Sequence, residues 1–157
     1  MQIIILIRII LHCSALLGLL LRKQEYQRGG QRAPIREYQA LFASIHANLM
    51  CLFASERDHN ALHAATPPIN LSGCALRRLE DATLQRHVIH VETADGAEYL
   101  FDAASNSDNH RDDQEDLEDL EEGEEEERQA NLELWLTRMS EASSKPAHIL
   151  MHLFSLV

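Results

Sequence analysis

The sequence predicts a mainly β domain in which about seven short antiparallel strands bend into a small sandwich or barrel, capped by one C-terminal amphipathic helix. Three observations point there. From Gly18 to Ala103, short apolar runs are separated by turn signals at regular spacing, the texture of an antiparallel all-β unit. Asp95-Gly96 stands between two such runs, and Asp-Gly is among the strongest short-range hairpin signals. Beyond the acidic run the period turns helical: Leu132, Trp135, Leu136 and Met139 fall at i, i+3, i+4 and i+7, one apolar stripe over Glu127 to Ser143.

The elements follow in order. Met1 to Leu21 is nearly all apolar, long enough for a membrane span, which needs roughly 20 apolar residues. Arg8 in its middle opposes that reading, since a charge at bilayer centre costs about 2.5 to 3.5 kcal/mol. No basic residue precedes the apolar run, as a signal peptide would require, although Ser14 to Gly18 offers small residues for cleavage. Residues 1–17 are therefore expected to be foreign to the domain, perched before it as a stub; a signal peptide or membrane anchor over 1–21 is the alternative. The domain is expected to cover residues 18–145, and the apolar tail 146–157 stays unassigned.

Leu19 to Gln27 reads as the first strand, with Gly29-Gly30 and Pro34 in the connection after it. Glu37 to Ile45 alternates, placing Leu41, Ala43 and Ile45 on one face and Tyr38, Ala40 and Phe42 on the other. His46-Ala47-Asn48 turns into Leu49 to Ala54, and a polar loop from Ser55 to Thr66 ends in Pro67-Pro68. Ile69 to Cys74 and Ala75 to Leu79 are short runs; His87 to Thr93 and Glu98 to Ala103 flank the Asp-Gly turn. Pro146 bars extension of the helix much past Ser144.

Charge is segregated. The net charge is -11, with 14 bases against 25 acids over 157 residues, but thirteen of those acids and only two bases lie in residues 105–129. The rest of the chain balances to neutrality. Residues 104–129 lack a core pattern, cannot bury enough apolar surface to offset their ordering entropy, and are expected to form a disordered acidic insertion. Closing so long a loop costs little, because the penalty grows logarithmically. The three cysteines, Cys13, Cys51 and Cys74, are odd in number and widely spaced, which suits free cytosolic thiols.

Several chemistries find no support. His87 and His90 lie on opposite faces of a regular strand and are expected to be surface histidines, so no metal is expected. The acidic run lacks the spacing of an EF-hand loop, and Gly29-Gly30 is not a phosphate loop. No nucleophile–base arrangement appears, so no catalysis and no cofactor are expected. Nucleic-acid binding needs a broad basic face with interleaved aromatics, and five cations on one hairpin beside a polyacid do not supply it. Those five, Arg22, Lys23, Arg28, Arg32 and Arg36, are opposed locally by Glu25. On composition alone they make a solvated basic hairpin. Arg donates two parallel hydrogen bonds to phosphate and Lys adds a mobile charge, so the same hairpin also suits a phosphorylated ligand.

Seven strands followed by one helix with a single Trp resembles the pleckstrin homology fold. The stretch Leu21-Arg22-Lys23-Gln24-Glu25-Tyr26, with Arg36-Glu37-Tyr38 after it, is similar to the first strand, loop and second strand of beta-spectrin pleckstrin homology domains. Arg86-His87-Val88-Ile89 and the run Ala94 to Phe101 look like the last hairpin of that family, and Trp135 matches its helix tryptophan, structural rather than ligand-binding. The resemblance covers residues 18–103 and 128–143.

It implies a non-enzymatic module of the membrane skeleton, peripheral at the cytosolic face of the plasma membrane, that binds phosphoinositide headgroups and/or spectrin-associated proteins. The family's headgroup site lies between the first loop and the loop joining strands five and six. Lys23 and Arg36 fit that pattern, Arg22 adjoins them, Tyr38 stands in for a Trp, and Arg86 keeps the one charge of the second loop. Glu37, Ala82 and Leu84 depart from it, so about half the site is lost and headgroup binding is expected to be weak and salt-sensitive. The insertion at 104–129 also departs from the family, whose last strand runs into the helix after a few residues. The alternative is a protein-interaction scaffold without lipid affinity, its acidic loop recruiting basic partners. Actin binding is not expected of these residues.

Overall fold

A computed structural model describes residues 16–103 and 118–144. It contains β1 (Leu16–Tyr26), β2 (Gln39–His46), β3 (Leu49–Phe53), α1 (Glu56–Asn60), β4 (Ile69–Asn70), β5 (Ala75–Asp81), β6 (Arg86–Glu92), β7 (Glu98–Ala103) and α2 (Glu118–Ser144). The strands form one antiparallel sheet in the order β4-β3-β2-β1-β7-β6-β5, so the first strand lies at the centre, between β2 and β7. The expected architecture of seven bent strands and a C-terminal helix is what the chain adopts.

Local chemistry sets the turns. His46 pairs with Leu49, leaving a two-residue turn whose Ala47 takes a φ of 49°. Asp95-Gly96 turns β6 into β7: Gly96 takes the left-handed conformation at φ 87°, and the Thr93 hydroxyl accepts from the Ala97 amide at 3.1 Å. Within the polar loop after β3, the Ser55 hydroxyl accepts from the Asp58 amide and caps the single turn α1. His59 of that turn is buried edge-on against Phe42 and Phe53, covering the outer face of β2 and β3.

The core joins the inner face of the sheet to one stripe of α2. Leu20, Ala43, Ile45, Ile89 and Phe101 meet Leu132, Trp135, Met139 and Ala142, all nearly or fully buried. A Cβ at Gly18 would come within 3.3 Å of the Trp135 ring, so the indole lies directly on the β1 backbone. Burying side chains of this kind stabilises by about 1.5 to 3 kcal/mol each.

Two boundaries differ from expectation. β1 opens at Leu16, paired with Ile45, two residues before the domain was expected to begin. Residues Leu16 to Leu21, which the alternative reading assigned to an anchor, are strand; residues 1–15 lie outside the described residues. The second difference is larger. The helix starts at Glu118, not Glu127, so residues 118–129 of the expected disordered insertion are helical. Glu is a good helix former, and acids near a helix N-terminus interact favourably with its dipole. A helix already docked by Leu132 to Ala142 also needs no new nucleus to extend backwards. Residues 104–117, the remainder of that expectation, and the tail from 145 lie outside the described residues. No helix among the described residues is long and apolar enough to cross a membrane.

Candidate functional site

Alternation along β1 divides the basic residues of the first hairpin between two places. Leu20 is in the core, and Arg22 and Gln24 follow on the same side of the strand. Lys23 and Glu25 take the other side.

On that outer side, three residues expected at the site come together around one acid. Glu25 pairs with Lys23 (Nζ to Oε1, 2.7 Å) and with Arg36 (Nη1 to Oε2, 3.5 Å). The Lys23 ammonium lies 5.7 Å from the centre of the Tyr38 ring. Tyr38 donates its hydroxyl to Asp81 Oδ2 at 2.5 Å, linking the cluster to the β5–β6 turn. Burial and that hydrogen bond push the Tyr38 hydroxyl well above its ordinary range. Burial works to raise Asp81, but the Tyr38 hydroxyl and the amides of Thr83 and Leu84 hold it below the usual carboxylate value. Two basic side chains, Lys23 and Arg36, thus share the cluster with two acidic ones, Glu25 and Asp81.

Arg86 does not join them. Its Nη2 sits 2.5 Å from Oδ2 of Asp102, which has no solvent exposure. The other Asp102 oxygen receives Arg128 Nη1 at 2.7 Å. Arg128, only 2% exposed, reaches back to Glu125 with Nε at 2.9 Å and Nη2 at 2.6 Å. Arg86, its side chain about a third exposed, is thus paired with a buried carboxylate and stands apart from the Lys23 cluster.

Arg22 lies apart as well. It donates to Gln39 Oε1 at 3.0 Å, and its Nε is buried without a hydrogen-bond partner. With Gln24, Arg28, Tyr99 and the segments 66–70 and 93–95, it lines a cavity of about 440 Å³. Burial lowers the Arg22 pKa, with the Tyr99 hydroxyl acting in the opposite sense. Arg28 at the rim pairs with Asp95 at 3.0 Å. Trp135 sits in the core, 4% exposed, as its helical stripe implied.

The sequence reading missed Asp102, Arg128 and the cavity wall from the β3–β4 loop. Arg128 carried a usable signal: it falls four residues before Leu132 and so extends the buried stripe of α2 by one turn. Nothing local marked Asp102, whose partner lies 26 residues away. Elsewhere, His90 pairs with Glu98 at 3.1 Å, and no group of three or more His, Cys, Asp or Glu among the described residues is placed to hold a metal. Burial pushes the Cys51 thiol up to about 11, leaving it protonated near neutrality.

No family model matches this chain, and no curated protein matches it in sequence. Among solved structures, the crystal structure of the pleckstrin homology domain of ArhGAP27 aligns with 82% of this chain and 99% of its own, at a TM-score of 0.53 and 18% identity. The chain has the pleckstrin homology fold.

Proposed function

We propose that the chain is a non-enzymatic docking module of the membrane skeleton, of the beta-spectrin type, that binds phosphoinositide headgroups weakly at the cytosolic face of the plasma membrane. The observation that carries this reading is the gathering of Lys23, Arg36 and Tyr38 around Glu25 on the first hairpin, with Arg22 and Arg28 on its other side. A phosphorylated headgroup needs several cations converging at short spacing, and this hairpin supplies them. Weakness follows from the ion pairs. Lys23, Arg36 and Arg28 each face a carboxylate, Glu25 or Asp95, that a phosphate must displace. Arg86 is held by Asp102.

The test is sedimentation of the chain with vesicles containing phosphatidylinositol bisphosphate. Lys23→Ala/Arg36→Ala is expected to weaken binding about tenfold, at about 1 kcal/mol or less per cation near an anionic surface. Arg22→Ala, measured alongside, separates the two sides of the strand: a loss confined to it moves the headgroup into the cavity. Absence of binding by the wild-type chain at low salt ends the lipid reading.

One observation favours a second reading, a protein-docking scaffold of the same fold. The outer cluster is already charge-balanced by Glu25 and Asp81, as expected of a surface that meets mixed-charge protein partners. Retention of spectrin-associated partners by the Lys23→Ala/Arg36→Ala variant, with no vesicle binding by either protein, supports it.

A further inference from the structure

The two edges of the sheet are unlike. At one end β4 is only Ile69–Asn70, two residues, too short to hold a further strand. At the other end β5 runs for seven residues, Ala75–Asp81, all in unbroken register with β6 and with no strand on their other side among the described residues. Every second residue of β5 therefore turns its amide and carbonyl away from β6. Such an edge is a template for another chain, and folded proteins commonly blunt it with charged side chains, proline or a bulge. β5 has neither proline nor bulge, and its charges do not blunt it.

Those charges are symmetric about Leu79: Arg77 and Arg78 precede it, Glu80 and Asp81 follow. Residues directly opposite in an antiparallel pair share a face and feel each other's charge. A second β5 laid antiparallel along the first, centred on Leu79, sets Leu79 opposite Leu79, Arg78 opposite Glu80 and Arg77 opposite Asp81. Two-fold symmetry makes each charged pair twice. A centre on Arg78 would set that guanidinium against its own copy, so charge selects one register.

The side chains can be reached. Arg77 and Glu80 are exposed and form no ion pair among the described residues. Arg78 already meets Glu133 and, at 2.8 Å, Gln129 of α2, but it is 37% exposed and its fork has donors left for a second carboxylate. Asp81 is buried and holds Tyr38, so it contributes charge and no new hydrogen bond.

We propose that two copies of this chain associate through β5, antiparallel and centred on Leu79, so that each sheet continues into its partner. The proposal does not depend on the lipid reading. The net charge of -11 on each copy opposes association at long range, and salt of about 0.15 M screens that repulsion while leaving close pairs in place.

The experiment is sedimentation equilibrium of the full chain at that ionic strength, without lipid. It compares wild type, Arg78→Glu, Glu80→Arg, an equimolar mixture of these two variants, and Arg78→Glu/Glu80→Arg. Wild type is expected to dimerise. Each single variant sets like charges opposite one another at both positions and should lose about tenfold or more in dimer affinity. The mixture should recover, because the acids of one variant then face the bases of the other. The double variant should dimerise like wild type, since exchanging the charges keeps their symmetry. Under mild oxidation Leu79→Cys should crosslink across the axis, above the background that Cys13, Cys51 and Cys74 set in wild type. A wild type still monomeric at about millimolar concentration, where even a weak contact is populated, overturns the proposal. So does a dimer that no charge change alters, a mixture that fails to recover, or a dimeric Leu79→Cys that crosslinks no faster than wild type. The headgroup reading stands or falls separately, on vesicle binding.

Discussion

Arg128 belongs by composition to an acidic tract and by structure to the interior. Its guanidinium divides between Asp102 at 2.7 Å, inside, and Glu125 at 2.6 Å, near the surface. Taking a carboxylate out of water is costly, and Asp102 is tolerated there because two guanidiniums face it. Arg128→Ala leaves that carboxylate with Arg86 alone, and removing one partner of a buried pair typically costs about 3 to 5 kcal/mol. Urea unfolding should show a loss of that order. The double variant Asp102→Asn/Arg128→Gln should lose less than the sum of its single variants, since the two residues share one network. Additive losses would mean that the arginine acts through packing of its aliphatic stem rather than through Asp102.

The same pair explains where the C-terminal helix begins. Leu132, Trp135, Met139 and Ala142 dock α2, and the Arg128 fork carries the docked surface one turn further towards its N-terminus. Glu125, half exposed, is drawn down to about 2 by its hydrogen bonds from Arg128 and from Gln129. Because its folded pKa lies below the ordinary value of 4.5, its contribution to stability is complete above that value. It is lost as pH falls towards 2. Asp102 works in the opposite sense: burial holds its carboxyl above the ordinary range against the pull of Arg86 and Arg128, so protonation on acidification favours the fold. Comparing wild type with Glu125→Gln cancels the second effect. The melting temperature of wild type should exceed that of the variant at pH 6, and the two curves should converge as pH falls from 4.5 towards 2. Curves that stay parallel over that range would show that Glu125 does not anchor the helix. The contrast also shows what was legible beforehand. The strands could be read because alternation and Asp95-Gly96 are local signals, and the helix stripe because its period is local. Glu118 to Glu127 could not, since a solvated acidic tract and an acidic helix share one composition and differ by a contact to Asp102. The pairing of Arg86 with Asp102 was hidden for the same reason. Lys23, Arg36 and Tyr38 lie near one another, and Glu25 and Asp81, which balance their charge, follow only from the folded hairpin.

At the scale of the molecule, cations and acids are sorted by position. The chain outside residues 105–129 is neutral overall, and the net charge of -11 resides in that tract. Part of the tract is fixed in space: α2 places Glu124 to Glu127 in the turn before Arg128, and Glu125 feels the charge of Arg86, which closes the β5–β6 hairpin opposite Asp81. Asp81 in turn holds Tyr38 of the cation cluster. An anionic surface approaching Lys23 and Arg36 therefore meets the field of this acidic turn as well. Glu124 and Glu126 are exposed, so their effect runs through solvent and is screened by salt. The Debye length is about 30 Å at 0.01 M ionic strength and about 8 Å at 0.15 M, enough to switch such a field between felt and unfelt. Glu124→Gln/Glu126→Gln should therefore bind anionic vesicles about threefold more tightly than wild type at the lower ionic strength, a gain below the roughly 1 kcal/mol that one charge near the surface contributes. At the higher ionic strength the two proteins should bind alike. Sedimentation at both salts decides the matter: a gain that persists at high salt would mean direct contact between the acidic turn and the lipid, and no gain at either salt would mean that the helix points its charge away from the membrane.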